Sequence, residues 1–348
     1  ERSSVRYQEP IQRLMKPITR LLACLLGISH AHTMPITYRG AESNGKHIVF
    51  LASDHEYRAE ECCPAIARIL SKHHGFTCTV VFGTDNEGFI EAGSSRVSGL
   101  EVLAQADLFV IFARFLHLPD EQMAHIDAYL KRGGPIVGLR TSSHAFKIPK
   151  SSAYAKYDYQ SKSPGYENGF GHQILGNTWV GHYGTNHRQG SRIIPIPTQG
   201  THPILTGVKD VAFCHAGTYV ANVRPDFDVL AHAQPLVSMD PTANADPNKP
   251  PMAAVWTRQY PAKDGSLHRV FHTTQGASQD ILDPNFRRII INGIMWAMSL
   301  ESEISADLNI DFVGPYHPSK FSFDGEVKGM KPDDLSGFTS PIPPNKTP

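Results

Sequence analysis

The stretch that decides the fold is Gly134-Pro135-Ile136-Val137-Gly138-Leu139-Arg140-Thr141-Ser142-Ser143-His144. Its apolar half predicts a buried strand, and that strand ends abruptly in a tight turn crowded with polar side chains. Ligands bind at such strand ends in an open α/β sheet. The turn carries Arg140, Thr141 and His144 but no cysteine. It therefore predicts a site in which a thiol takes no part.

Upstream of this stretch, apolar runs of strand length alternate with helical periodicity. One predicted helix has Pro64 in its first turn and ends at Gly75, and a second begins at Pro119 and ends at Gly133. The alternation predicts an α/β fold with a parallel sheet, helices on both faces, and strand ends that meet at one edge. The strands predicted in this part are 47–52, 77–82, 107–112 and 136–139.

The pattern loosens downstream, where residues 146–190 are rich in Gly, Tyr, Ser and His and predict long loops over that edge. A last amphipathic helix is predicted to open at Asp283-Pro284. Residues 311–348 have little periodicity, so we expect them either to wrap the surface or to be disordered. Further predicted strands are 192–196, 227–231, 253–257 and 270–273.

Composition and charge exclude some classes of protein. The 348 residues are 41% hydrophobic, and the 33 basic side chains balance the 33 acidic ones. No basic stripe is present, which argues against nucleic acid as a partner. Gly93 and Gly99 have the wrong spacing for a dinucleotide fingerprint, and we predict no cofactor. The sequence leaves a homo-oligomer open.

The first 31 residues predict an upstream segment followed by an export signal. Met15 is a natural start, which makes residues 1–14 upstream sequence. Two cationic side chains precede the apolar run Leu21–Ile28, and small residues suit cleavage after Ala31. The run is too short to span a bilayer as a helix. We therefore expect an exported protein, periplasmic or extracellular, without a membrane span.

The cysteines do not form a recognisable framework. Cleavage of the signal leaves Cys62, Cys63, Cys78 and Cys214. Four cysteines are compatible with disulfides outside the cytoplasm, but their spacing does not require them. No CxxC pair is present, which argues against a zinc knuckle.

Three segments carry motifs of one family. The glycine pair and strand of Gly133–Arg140 resemble a family strand that ends in Gly-Leu-His, and Ile174–His182 resembles a "leucine-glycine, aromatic, histidine" stretch. The third and most specific segment comprises Val255–Arg258, Arg269–Gly276, Pro284–Arg288 and Trp296-Ala297. Together they resemble the ThuA-like (trehalose-utilisation) family over about residues 46–301.

This resemblance implies a flavodoxin-like, class I glutamine-amidotransferase-like fold, with a doubly wound, mostly parallel sheet. It also implies a role in carbohydrate utilisation. We accordingly predict a ThuA-like domain at 46–301 and a C-terminal extension at 302–348. Two departures stand out. The family commonly has His at the position of Arg140, and Gly-His at the position of Gly276-Ala277.

Arg140 stands where glutamine amidotransferases of this fold carry their nucleophilic cysteine. An arginine cannot attack a carbonyl, so we expect no amidotransferase activity. Its planar fork of donors suits a carboxylate or an electron-rich oxygen. Ser142 or Ser143 with His144 as base is a weak alternative, because neighbours on one turn rarely face each other and no GxSxG frame is present.

The richest polar cluster is Asp54-His55-Glu56-Tyr57-Arg58, directly after the first strand. Asp54 or Glu56 could serve as general base, and Arg58 could pair with one of them and lower its pKa. His55 is a candidate ligand contact in the same crevice. A solvated loop that caps the next helix is the alternative interpretation, since Glu60 and Glu61 also favour a helix start.

Arg114 follows the third strand as Arg140 follows the fourth, so the two guanidinium groups are expected in one cleft with a carboxylate between them. His144 is the third catalytic candidate, as a ring that contacts ligand or orients Arg140. Further candidates for substrate binding are Arg58, Thr141, His182 and Gln275. Aromatic residues of the long loops could stack on sugar rings or simply attach those loops to the core.

Several histidines invite a metal interpretation. His182 and His187 are spaced as ligands can be, and Asp54 or Glu56 could complete a site. A histidine in a loop is more often a plain hydrogen-bonding group, and we assign no metal ligand. The same two interpretations apply to His172 and His215.

The sequence thus favours a sugar-processing enzyme with a small-molecule ligand, a sugar or a compound derived from one. In it, Asp54 or Glu56 abstracts a proton, and Arg114 and Arg140 stabilise charge on oxygen. Hydrolysis, isomerisation and elimination all remain open. Two alternatives are a non-catalytic module that binds a sugar or an anionic metabolite, and a metal-dependent hydrolase built on Asp54, His182 and His187.

Overall fold

A computed structural model describes residues 34–261 and 267–345, and in them ten strands form one mixed sheet. The predicted export signal lies outside the described residues. The strands are β1 (Ile36–Tyr38), β2 (His47–Ser53), β3 (Thr77–Phe82), β4 (Leu108–Ala113), β5 (Ile136–Leu139), β6 (Ser191–Pro195), β7 (Ala212–Cys214), β8 (Asp228–Pro235), β9 (Met252–Pro261) and β10 (Leu267–Thr273). The helices are α1 (Ala59–His74), α2 (Asp120–Lys131), α3 (Gly169–Leu175) and α4 (Pro284–Ala297).

The sheet has a parallel half and an antiparallel half. Its order is β1-β3-β2-β4-β5-β10-β9-β8-β6-β7. The run from β3 to β10 is parallel, as the alternation of strands and helices predicted. The pairings from β10 through β9, β8 and β6 to β7 are antiparallel, and so is that of β1 with β3. The expectation of a mostly parallel sheet thus holds for the centre, whereas the whole sheet is mixed.

Both faces of the parallel strands are buried. Along β2, Ile48 and Phe50 belong to one apolar core, whereas Val49 and Leu51 belong to another. The first core includes side chains of α1 and α4, and the second includes those of α2. This double burial explains why the parallel strands are nearly continuous apolar runs.

Helix α1 begins earlier than its proline suggested. Arg58 caps it in the left-handed region, with φ 61°, and Glu60 and Glu61 lie in its first turn. Acidic side chains stabilise that positive end of a helix, so the polar residues before Pro64 are helical rather than a loop. The predicted end is confirmed, since Gly75 closes the helix at φ 73°, a conformation that favours glycine.

The C-terminal residues wrap the body of the protein, one of the two outcomes expected. Phe321, Leu335 and Ile342 are buried in the core that includes α1. The Arg68 guanidinium donates to the Leu335 carbonyl at 2.9 Å and to the Ser340 carbonyl at 2.6 Å. No helix in the described ranges is long and apolar enough to span a membrane.

Candidate functional site

Asp54 shapes the turn that follows β2. It is fully buried, and its Oδ1 accepts the backbone N–H of Glu56 at 2.8 Å and also that of Tyr57. Such an Asx turn fixes the direction of the chain after a strand. Asp54 therefore positions the next residues, of which Glu56 is the first acid.

Glu56 is the centre of the polar network. Its Oε2 lies 3.1 Å from Nη1 of Arg114, and its Oε1 lies 2.6 Å from Nδ2 of Asn186 and 2.9 Å from Nε2 of His187. Glu56 is only 1% exposed, whereas the His187 side chain is 35% exposed. A buried carboxylate is thus joined to a histidine that solvent can reach.

The two predicted arginines belong to one hydrogen-bonded chain but have different partners. Arg114 bonds Glu56, Asn186 bonds both Glu56 and the Tyr57 hydroxyl, and Arg140 Nη2 donates to that same hydroxyl at 3.0 Å. The carboxylate expected between the arginines is Glu56, which contacts Arg114 directly and reaches Arg140 through Asn186 and Tyr57.

The Arg140 side chain is buried and bonds groups of the protein itself. It is fully buried, its backbone is in the left-handed region at φ 46°, and its Nη1 donates to the carbonyls of Gly217 and Thr274 at 2.5 and 2.6 Å. Its guanidinium carbon lies 4.3 Å from the centre of the Tyr57 ring and 3.9 Å from that of Tyr219. This arginine joins the ends of β5 and β10 and contacts the network through the Tyr57 hydroxyl.

Two histidines beside the network are held in their neutral form. Burial, together with the charges of Arg114 and Arg140, keeps the pKa of His144 well below its usual value. Burial and the same two arginines lower the pKa of His182 to about 4. The His144 ring stacks on Trp179 at 4.9 Å, and His182 Nε2 lies 3.3 Å from the Tyr57 hydroxyl. At neutral pH both rings can donate and accept without carrying charge.

Two aromatic rings lie against the Arg114 guanidinium. The centre of the Phe115 ring is 5.2 Å from its guanidinium carbon, and that of Phe323 is 5.0 Å. Half-buried His55 lies between them, 6.5 and 5.9 Å from the two ring centres. Its pKa is lowered mainly by burial. Within the described residues, the indole N–H of Trp179 has no acceptor.

Arg58 and Gln275 have partners outside this network. Arg58 donates to the Ser322 carbonyl at 2.8 Å and lies 3.4 Å from Glu326, so it holds the C-terminal segment. Gln275 donates to the Ser191 hydroxyl at 2.8 Å.

Thr141 and the two serines of the turn are buried. Thr141 Oγ1 is without a hydrogen-bond partner in the described part of the chain. The Ser142 hydroxyl lies within hydrogen-bond distance of two backbone carbonyls, those of Ile111 and Leu139. Ser143 Oγ does lie 3.2 Å from His144 Nδ1, contrary to the expectation that such neighbours do not face each other, but both residues are buried.

The histidines do not assemble a metal site. Among residues 34–261 and 267–345, no group of three or more His, Cys, Asp or Glu side chains could hold an ion. Asp54 is bonded to backbone N–H groups, His182 contacts Tyr57, and His187 contacts Glu56. The three side chains on which a metal-dependent hydrolase was built thus have other partners in the described residues.

Thiol chemistry is also absent from the network. Cys62, Cys63, Cys78 and Cys214 are buried and unpaired. Burial raises the pKa of the Cys78 thiol to about 12 and raises the pKa values of the other three well above the usual range. None of these four thiols is suited to act as a nucleophile.

Sequence analysis missed the partners that complete the network. His187 was considered only as a metal ligand, and Asn186 and Tyr219 were given no role. His187 adopts φ 62° in an irregular loop, and no periodicity or motif places such a residue against Glu56. The only available signal was the density of polar and aromatic residues in the loops that follow β5.

A family model identifies the family to which the chain belongs. The family model for ThuA, described as trehalose utilisation, matches residues 48–297. The chain therefore belongs to the ThuA family. No curated protein matches it.

Among solved structures, similarity extends to a ThuA-like protein from Bacteroides uniformis ATCC 8492, at 13% identity and a TM-score of 0.47, covering 78% of this chain and 98% of that one. A second ThuA-like protein, from Parabacteroides merdae ATCC 43184, matches at 15% identity and a TM-score of 0.46, covering 80% and 96%. The glutaminase domain of Trypanosoma brucei CTPS with bound acivicin matches at 10% identity and a TM-score of 0.36, covering 77% and 97%.

Proposed function

We propose that this ThuA-family protein is a sugar-processing enzyme that uses Glu56 and His187 as an acid–base pair. The observation that carries the proposal is the 2.9 Å contact between the buried Glu56 carboxylate and the accessible His187 imidazole. Enzymes use a buried carboxylate in this way to fix the orientation and tautomer of a histidine that transfers protons.

The geometry supports a division of roles. When His187 Nε2 donates to Glu56, the neutral ring keeps its other nitrogen free to accept a proton. Arg114 and Asn186 hold the carboxylate in place, and Arg114 also supplies positive charge for an oxygen that becomes negative during the reaction. Asp54 and Arg140, both fully buried, support this arrangement rather than touch substrate.

The ligand class is proposed from the site's lining and from the family. Trehalose utilisation is the description of the family model. Aromatic rings beside polar groups are typical of sugar-binding sites, where ring faces stack and side chains bond hydroxyls. Phe115, Trp179 and Phe323 provide the rings here, with His55 and His182 beside them.

Three further statements belong to this proposal. The order β3-β2-β4-β5-β10 supports a doubly wound, flavodoxin-like arrangement of the parallel strands. Residues 46–301 form the ThuA-like domain, and 302–348 an extension. The segment before Ala31 directs export, and sequencing of the mature N-terminus tests that statement.

The test is turnover by the full chain. Trehalose and a panel of mono- and disaccharides are incubated with the protein in D₂O and followed by proton NMR. New anomeric signals report hydrolysis, loss of C–H signals reports proton exchange, and vinylic signals report elimination. His187→Gln removes the titratable ring and is expected to lower turnover by about 100-fold or more. Glu56→Gln should also lower turnover.

The matched control is His125→Gln, which changes a half-buried histidine on α2. It should retain full turnover. A His187→Gln protein that converts sugar as fast as the unaltered chain contradicts the acid–base role. A protein that binds a sugar, leaves it unchanged, and keeps its affinity after Glu56→Gln is the non-catalytic binding module instead.

A further inference from the structure

The site receives side chains from outside the part of the chain that matches the family. The family model ends at residue 297, yet Phe321 and Phe323 both reach the Glu56 network. The Phe321 ring lies 5.1 Å from that of Tyr57 and 5.0 Å from that of His187. Phe323 contacts His55 and Arg114. The C-terminal extension therefore forms one wall of the site.

The two phenylalanines differ in a way that separates packing from binding. Phe321 is 0% exposed and belongs to the apolar core. Phe323 is 52% exposed, although its ring contacts a guanidinium and an imidazole. Burial of a phenylalanine is favourable, so a ring kept at the surface beside a guanidinium and an imidazole contributes little to the core. Its exposed surface is available to a ligand.

Buried polar contacts hold this segment in position. Arg58, itself fully buried, donates to the Ser322 carbonyl at 2.8 Å and lies 3.4 Å from Glu326. The Ser319 backbone N–H donates to the buried Glu61 carboxylate at 2.7 Å. The backbone that leads into Phe323 is therefore held at Ser319 and Ser322, which lowers the entropy lost when a ligand stacks on the ring.

We propose that Phe323 is the stacking platform of a sugar subsite, supplied by the C-terminal extension and placed against Arg114. The inference rests on the proposed function and names a specificity-determining contact for it. The C–H face of a pyranose packs on an aromatic ring, while guanidinium and imidazole groups bond its hydroxyls. Arg114 links the proposed subsite to the acid–base pair, since it contacts Phe323 and also bonds Glu56.

The test measures sugar binding by saturation-transfer difference NMR, with trehalose, glucose and a panel of disaccharides as probes. Three variants are compared with the unaltered chain. Phe323→Ala removes the ring, Phe323→Leu keeps an apolar side chain without an aromatic face, and Phe323→Tyr keeps the face. The matched control is Leu282→Ala, which removes another exposed apolar side chain, 42% exposed, near the start of α4.

Phe323→Ala and Phe323→Leu should weaken binding of the bound sugar by about tenfold, whereas Phe323→Tyr and Leu282→Ala should retain it. For a sugar that is converted, KM should rise while kcat stays within about twofold. All four variants should unfold at the same denaturant concentration as the unaltered chain, because the Phe323 and Leu282 side chains are both exposed.

Unchanged binding by Phe323→Ala, while the unaltered chain binds and converts sugar, overturns the subsite and leaves the proposed function standing. An equal loss of sugar affinity in Phe323→Ala and Phe323→Tyr also overturns the subsite, because the aromatic face then does not determine binding. If the unaltered chain binds no sugar of the panel, the proposed function fails and the subsite fails with it.

Discussion

His182 couples the charge state of the site to the stability of the fold. Burial and two nearby arginines lower its pKa to about 4. Below pH 6.5, the usual pKa of histidine, His182 takes up a proton in the unfolded chain. In the folded chain it stays neutral until the pH approaches 4. The unfolded state then binds more protons, so the free energy of unfolding falls as the pH drops from about 6.5 to about 4. Above that window this residue contributes no pH dependence.

His182→Gln should therefore lose less stability than the unaltered chain when the pH is lowered from about 7 to about 5. Urea denaturation at both pH values measures the difference. His125→Gln is the control and should lose as much as the unaltered chain. A His182→Gln protein with an undiminished loss would show that its ring is not held neutral. His144, whose pKa is lowered in the same direction, keeps part of the dependence in every variant.

The sequence predicts which side chains follow a strand and so lie at the edge of the sheet, but it does not predict which groups they bond. Glu56 and Arg114 were expected in one cleft because their strands are neighbours, and the structure joins them at 3.1 Å. Arg140 was expected at the same edge, yet its guanidinium bonds carbonyls from two other loops. Those carbonyls belong to residues 217 and 274, and no local pattern reveals such distant pairings.

At the scale of elements, the turn after β5 shows how a strand end is fixed. Arg140 has a left-handed backbone, and its side chain bonds the loop at Gly217 and the end of β10 at Thr274. A guanidinium can serve two carbonyls and a hydroxyl at once because its donors lie in one plane. A lysine has a single nitrogen and cannot reach all three.

Arg140→Lys should therefore destabilise the fold by about 3 kcal/mol, although it keeps the charge. Urea denaturation measures the loss. The control is Arg96→Lys, which alters an exposed arginine and should change stability by less than about 0.5 kcal/mol. A loss in Arg140→Lys as small as that of the control would mean that its hydrogen bonds are dispensable.

The long elements were predictable because their burial is repetitive. The parallel strands are apolar on both faces, and α2 and α4 have periodic apolar side chains. The short strands β1 and β7 escaped prediction, since three residues carry too little pattern. The antiparallel half is likewise set by long-range pairing, because β6 lies between β8 and β7 rather than beside β5.

At the scale of the whole molecule, the last described residues are held by the first helix. Arg68 on α1 is fully buried, and its guanidinium donates to the carbonyls of Leu335 and Ser340. The Tyr38 hydroxyl donates to the same Leu335 carbonyl at 2.6 Å. The extension is thus fastened through backbone oxygens, which any sequence presents, so composition alone could not tell wrapping from disorder.

Arg68→Met should release this segment, because methionine keeps most of the volume but donates no hydrogen bond. We expect faster hydrogen exchange across residues 331–342 and a loss of about 3 kcal/mol in the free energy of unfolding. Mass spectrometry of exchanged peptides measures the first, and urea denaturation the second. Arg96→Met is the control. Unchanged exchange in residues 331–342 would contradict the role of Arg68.

The packing of the C-terminal residues on α1 also sets the order in which the Glu56 network can be completed during synthesis. Phe323 and the Ser322 carbonyl that Arg58 binds are synthesised after the whole sheet, whereas Glu56 and Arg58 are synthesised before most of it. A nascent chain therefore leaves part of the surface of α1 uncovered until residues 319–342 have emerged, and the network lacks Phe323 before then. Truncation before Ser319 should therefore remove Phe323 from the network and uncover α1, even though it spares every residue of the sheet.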